Sequence, residues 1–241
     1  MNIFGSGHKT SLLKPTDMLT STEKQFSILF FIIVLVELVT GSIIWLNSIH
    51  YIAKPAIVIS LIVLFLRTSE SLPKAIKRTT LLALAFSVLG DVLLMFVDHS
   101  PHFFTLGLIA FLTAHVMYVI VFLKHRHKHK SPLGFIAVLL VYAASLFYFL
   151  NGNLGELFIP VLVYMLVILS MATTAYLRKD QVNILSYGLV FLGALLFMVS
   201  DSILALNKFY TSIPWSNISI MLTYALAQYL IVLGILKLKV H

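Results

Sequence analysis

The sequence predicts an all-α, polytopic membrane protein: eight transmembrane helices, built as two parallel four-helix repeats, with both termini on the cytoplasmic side. Three observations carry this. Of 241 residues, 60% are apolar and only 11% charged, with a mean hydropathy of +1.00; ordinary soluble domains have about 45–50% and about 25%. A soluble domain of this length has too little interior to hide that much apolar side chain. The apolar residues fall in blocks of about 20, the length a helix needs to cross a bilayer. The basic residues gather in every second segment between blocks. A soluble enzyme, a nucleic-acid-binding module and a disordered chain are thereby excluded. With no cysteine, disulfides, thiolate metal sites and a cysteine nucleophile are excluded too.

The chain divides into a polar cytoplasmic segment, 1–25, and one transmembrane domain, 26–241. The polar segment carries Lys9, Lys14, Asp17, Glu23 and Lys24, so no cleavable leader is expected. The first span is 26–46. The second, 51–66, opens with Lys54-Pro55, and proline suits a helix's first turn, where no N–H is needed. The third and fourth are 79–97 and 102–123. The fifth and sixth are 132–150 and 157–177, and the last two 185–206 and 215–236. Fifteen of the seventeen Lys and Arg residues fall on one side of this arrangement: three in the N-terminal segment, then Arg67, Lys74, Lys77, Arg78, then Lys124, Arg126, Lys128, Lys130, then Arg178, Lys179, Lys237, Lys239. Only Lys54 and Lys208 fall on the other. Cytoplasmic loops collect basic residues, which fixes the orientation. The formal charge of +8 is therefore a topology signal with some attraction to anionic membrane lipids, and no nucleic-acid partner is expected. The tract His125-Arg126-His127-Lys128-His129-Lys130 reads as a solvated loop, because interleaved Lys and Arg repel a metal ion.

The third span ends Gly90-Asp91-Val92-Leu93-Leu94 and the seventh Ser200-Asp201-Ser202-Ile203-Leu204, with the aspartates 110 residues apart. Leu112-Thr113 recurs as Leu222-Thr223 at the same offset. The second and sixth spans share an early proline, Pro55 and Pro160, and a closing arginine, Arg67 and Arg178. This is the mark of a duplicated four-helix unit. An even number of spans per unit leaves the halves parallel, about an axis along the membrane normal. Asp91 and Asp201 are then expected at equal depth, about six residues or about 9 Å below the outer interface, facing one another.

A carboxylate in mid-span costs roughly 2.5–3.5 kcal/mol and marks a functional site. There are three: Glu37, Asp91 and Asp201. Lys54, His115, Tyr118, Tyr224 and Gln228 lie at comparable levels, Asn207 nearer the mouth, and Ser87 one turn before Asp91. These groups outline a polar cavity open to the outer side. Two carboxyls in one low-dielectric cavity do not both ionise: one stays protonated and the other is an anion, the arrangement acid–base hydrolysis needs. The same carboxylates also suit a proton-coupled transporter, or a structural role as partners of Lys54. No metal or other cofactor is expected, since the spans hold few histidines and no Glu-x-x-His pattern.

Five stretches resemble one family, the YhhN/TMEM86 membrane proteins, or lysoplasmalogenases: Glu37 followed by Lys54-Pro55; Gly90-Asp91-Val92-Leu93-Leu94; residues 110–118 around His115 and Tyr118; residues 200–209 around Asp201 and Asn207; and Tyr224-Ala225-Leu226-Ala227-Gln228. The resemblance implies hydrolysis of the vinyl-ether bond of a lysoplasmalogen to a fatty aldehyde and glycerophosphocholine or glycerophosphoethanolamine. It implies Asp91 and Asp201 as the catalytic pair, with either one the acid. Glu37, Lys54, His115, Tyr118, Asn207, Tyr224 and Gln228 would be its substrate contacts, and the compact loops point to a bacterial inner membrane.

Overall fold

The computed structural model describes residues 19–240. Lys9, Lys14 and Asp17 of the polar segment lie outside the described residues. Eight α-helices form: α1 (Ser21–Thr40), α2 (Asn47–Thr68), α3 (Lys74–Leu94), α4 (Pro101–Leu123), α5 (Leu133–Leu150), α6 (Phe158–Tyr176), α7 (Ile184–Phe209) and α8 (Ser216–Leu236). Six of them, α2 and α4 to α8, are long and apolar enough to cross a membrane. α1 and α3 fall short of that measure because of their charges: Glu23, Lys24 and Glu37 in α1, and Lys74, Lys77, Arg78 and Asp91 in α3. Large apolar side chains stand out from the bundle, among them Leu133, Val138 and Val141 of α5 and Ile52 of α2. A soluble monomer does not carry such a surface, whereas lipid tails satisfy it.

Several helix bounds differ from the expected spans. α1 begins inside the polar segment, because Thr20 and Glu23 form a reciprocal capping box whose side chains accept from two of the orphan N–H groups of a helix start. It stops at Thr40 rather than residue 46, where Gly41 and Ser42 turn the chain and the Ser42 hydroxyl donates to the Leu38 carbonyl (2.7 Å). α2 consequently starts at Asn47, which puts Pro55 inside the helix rather than in its first turn. The proline cannot donate to the Tyr51 carbonyl. Pro160, by contrast, does sit in the first turn of α6, so the two prolines are not equivalent. α3 ends at Leu94 in a run of turns, leaving Asp91 three residues from its helix end and Asp201 eight from the end of α7.

The offset of 110 recurs in some of the helix bounds. α1 and α5 end at residues 40 and 150, and α3 and α7 begin at 74 and 184. The packing repeats as well: α3 lies along α4 as α7 lies along α8, and α4 packs on α6 as α8 packs on α2. The Tyr118 hydroxyl donates to Gln228 Oε1 (2.6 Å) across the same 110 positions. Equivalent residues of two related halves meet each other only at the axis that relates them, so this buried pair marks that axis.

The opposite end of the bundle from the aspartates is closed by polar ties. Lys237 donates to Glu23 (2.6 Å), joining α8 to α1. Arg178, buried, donates to the Ser186 hydroxyl (2.9 Å), which donates to the Gly234 carbonyl (2.6 Å). Burial pulls the Arg178 guanidinium down to about 10, still charged at neutral pH. The His125–Lys130 loop is pinned by the His127 N–H on the Leu177 carbonyl (2.7 Å). Burial opposes ionisation of Glu23, yet Lys237 and Thr20 together hold its carboxyl below the ordinary 4.5. A depressed carboxyl stabilises the fold above about pH 4.5, and that stability is lost as the pH falls through its folded value. Glu23→Gln is therefore expected to lower stability by on the order of 1–3 kcal/mol near neutral pH. Thermal unfolding should show the gap between wild type and variant closing below about pH 4.

Candidate active site

The carboxylate-bearing end of the bundle encloses a cavity of about 430 Å³. Its wall comes from the C-terminal parts of α1, α3 and α7 and the N-terminal parts of α2, α4 and α8. α3 and α7 thus present the same end to it, as do α4 and α8. Six of the nine residues expected at the site line it: Glu37, Lys54, Asp91, Asp201, Asn207 and Tyr224.

Asp91 is seated by glycine chemistry. A Cβ on Gly90 would stand 2.6 Å from the Phe111 ring, so only glycine lets α4 lay that ring against α3 beside the carboxyl. Phe111 in turn meets the Tyr224 ring edge-on at 5.7 Å, and the Tyr224 hydroxyl donates to Asp91 Oδ2 (2.8 Å). Asp201 has a partner of the same type: the Tyr164 hydroxyl donates to its Oδ2 (2.6 Å). Each carboxyl is therefore held through one oxygen by a phenol, which leaves the other oxygen for chemistry. A run of edge-to-face rings joins the two, from Tyr224 to Phe197 (5.3 Å), Phe197 to His115 (4.5 Å) and His115 to Tyr164 (5.3 Å). The Ser200 hydroxyl, donating to the Ile220 carbonyl (3.0 Å), fixes α7 on α8 next to Asp201.

Charged and polar groups share the rest of the wall with apolar side chains such as Leu38, Met95 and Met221. Glu37, buried in α1, lies 3.1 Å from His50 Nδ1. Lys54 stands one turn beyond His50 on α2, within electrostatic reach of His50, Glu37 and Asp91. Asn207 Oδ1 accepts the Ile213 N–H (2.9 Å), shaping the turn before α8. Lys208 lies over the Phe104 ring (5.1 Å).

His115, Tyr118 and Gln228 are not part of the cavity wall. They are buried behind it. Gln228 Nε2 donates to the Ser87 hydroxyl (2.8 Å) while its Oε1 accepts from Tyr118. His115 Nε2 lies 3.7 Å from Asp201 Oδ2, beyond hydrogen-bond range, and neither ring nitrogen has a partner within the described residues. Among the residues of the site that the sequence did not flag are Tyr164, which holds Asp201, and His50, which meets Glu37. Both had a signal: Tyr164 is the 110-residue equivalent of Lys54, and His50 sits at i−4 from Lys54 on the same helix face.

The YhhN family model matches residues 49–235, a stretch that holds every residue named here except Glu37. The bovine protein named lysoplasmalogenase TMEM86A is 36% identical over 160 residues, covering 63% of this chain and 62% of that protein. The human lysoplasmalogenase TMEM86B is 31% identical over 155 residues, 64% of this chain and 62% of that one. A Mycobacterium tuberculosis protein named lysoplasmalogenase is 30% identical over 191 residues, 77% of this chain and 71% of its own length. The chain thus spans about 62% of the length of the mammalian relatives it matches. No solved structure matches it. With the match running through both aspartate motifs and most of the bundle, this chain belongs to the YhhN family.

Proposed function

We propose that the chain is an integral-membrane hydrolase that cleaves the vinyl-ether bond of lysoplasmalogens, releasing a fatty aldehyde and glycerophosphocholine or glycerophosphoethanolamine. The observation that carries this is the pair of tyrosine-held aspartates in one cavity. A vinyl ether is cleaved by protonating its β-carbon, which gives an oxocarbenium ion. Water adds to that ion, and the hemiacetal collapses to aldehyde and alcohol. One carboxylic acid supplies the proton, and one carboxylate stabilises the cation and deprotonates the water. Lys54 would meet the head-group phosphate, with Glu37, Asn207 and Tyr224 as further contacts. His115, Tyr118 and Gln228 would act from behind the wall, holding the two halves and the carboxyls in place.

In this reading all eight helices cross the membrane. The charges of α1 and α3 sit at the helix starts or, for Glu37 and Asp91, face the cavity, where lipid does not meet them. Residues 26–241 form the single catalytic domain. Both termini lie in the cytoplasm and the cavity opens on the opposite side, the periplasm of a bacterial inner membrane. The same carboxylates would serve a proton-coupled transporter. Against that stands the placement of the cavity: its charged wall belongs to one end of the bundle, and the other end is tied shut by Arg178–Ser186–Gly234 and Glu23–Lys237.

Purified protein in detergent, given 1-alkenyl lysophosphocholine and lysophosphoethanolamine, is expected to release aldehyde and glycerophosphodiester in equal amounts. The saturated 1-alkyl ether, which has no carbon to protonate, stays intact. No aldehyde from either head group by folded protein, or proton-driven solute uptake in proteoliposomes, would overturn the hydrolase reading.

A further inference from the structure

A narrow slot of about 50 Å³ adjoins the cavity at Asp201, between α3, α4, α6 and α7. Apart from Asp201 and Tyr164 its wall is apolar, and Leu108, Val161, Ala205 and Phe209 continue it into the apolar cluster around Leu150 and Leu154. The internal repeat gives this slot a counterpart. Moved back by 110 residues, Val161, Tyr164 and Leu204 become Tyr51, Lys54 and Leu94, and Ala205 becomes Met95; Leu108 moved forward becomes Ile218. All five counterparts line the main cavity around Asp91. The site is therefore two lobes of one ancestral design, one about each aspartate. They have diverged where it matters for an amphiphile. The Asp91 lobe has Lys54, with Glu37 and His50 around it, where the Asp201 lobe has Tyr164, with Val161 and Leu108 around it.

Resting on the hydrolase reading above, we propose that the lobe at Asp201 is the hydrocarbon-chain subsite and the lobe at Asp91 the head-group subsite, so that the substrate lies across the repeat axis in one orientation. A phosphodiester's charge is satisfied beside an ammonium, whereas a hydrocarbon chain fits a slot whose wall offers it no unpaired polar group; exchanging the two would strand both. This orientation orders the reacting atoms. The β-carbon of the vinyl ether is bonded to the chain, and the α-carbon and ether oxygen to the glycerol. Asp201 is then the carboxyl nearer the β-carbon, and its proton forms the new C–H bond as the C=C pair moves. Asp91 lies nearer the oxocarbenium carbon and takes a proton from the water that adds there. As the hemiacetal collapses, the Asp91 proton passes to the departing glycerol oxygen and the hemiacetal hydroxyl proton returns to Asp201. Both carboxyls regain their starting states.

The test compares kcat/KM for hexadecenyl and butenyl lysophosphocholine, and for hexadecenyl lysophosphocholine and the phosphate-free hexadecenylglycerol. Leu108→Trp, filling the slot, is expected to lower the long-to-short-chain ratio at least tenfold. Lys54→Met is expected to lower the phospholipid-to-alkenylglycerol ratio at least tenfold. Should Leu108→Trp misfold, Ala205→Leu narrows the same slot and is expected to move the chain-length ratio in the same direction. Folded slot variants with the wild-type chain-length ratio, or Lys54→Met with an unchanged head-group ratio, would overturn the orientation. Wild-type protein that releases no aldehyde from any of these substrates would instead overturn the hydrolase reading on which it rests.

Discussion

Asp91→Asn and Asp201→Asn are each expected to lower aldehyde release by about 100- to 10,000-fold, the range assigned to a positioned general acid or base. A carboxamide neither delivers a proton to carbon nor takes one from water. The substitution is mild for the fold, because an Asn side-chain oxygen still accepts the Tyr224 or Tyr164 hydroxyl that now holds Oδ2. Losing a buried carboxyl also removes a desolvation cost, so neither variant should be less stable than wild type by much. The check is aldehyde release alongside size-exclusion profile and melting temperature. The double variant is expected to be little worse than either single one, since residues that act as a unit are strongly non-additive. A well-folded Asp201→Asn or Asp91→Asn protein with wild-type turnover would exclude a two-carboxyl mechanism.

Much of this was legible in the sequence because bilayer helices advertise themselves. With no water in the bilayer core, each span must be a long apolar run; the eight runs in the sequence fall on eight helices of the described residues, six of them long and apolar enough to cross a membrane. The 110-residue offset was also legible, from the Asp91 and Asp201 motifs alone. What the sequence could not give was azimuth. Depth along a helix is a count of residues, but which way a side chain points depends on the neighbour it packs against. On α4, Phe104 and Phe111 face the cavity, while His115 and Tyr118 at similar spacing lie behind it. On α8, Tyr224 reaches Asp91 whereas Gln228, one turn on, turns to Tyr118 and Ser87. Proline's preference for a helix start puts Pro55 there by sequence alone. The turn at Gly41 and Ser42, which let α2 begin at Asn47, overrode that preference. Tyr164 shows how the repeat, followed position by position, adds site residues that charge alone does not flag.

The register that sets both aspartate environments rests on two glycines at the α7–α8 contact, and altering them is expected to cost both stability and activity. A Cβ on Gly193 would stand 2.9 Å from the Ala227 carbonyl and 3.1 Å from the Ile231 N, both backbone atoms that cannot rotate aside. A Cβ on Gly234 would stand 2.9 Å from the Val190 N. Close backbone approach through small residues is how membrane helices gain packing energy, since lipid tails offer no hydrophobic drive between them. Gly193→Ala and Gly234→Ala are therefore expected to cost about 1–3 kcal/mol each by overpacking, and Gly193→Val more. Activity should fall with stability, because α7 carries Asp201 and Ser200 while α8 carries Tyr224, and prying them apart moves the Ser200–Ile220 tie and the phenol on Asp91 together. Gly188 supplies the control. It lies on the same helix, but nothing stands within 4 Å of where its Cβ would be. Gly188→Ala should raise helix stability by up to about 1 kcal/mol through propensity alone. Thermal unfolding in detergent separates the two cases. If Gly193→Ala melted with Gly188→Ala, above wild type, the α7–α8 contact would have slack, and the coupling of its register to the two carboxyls would fail.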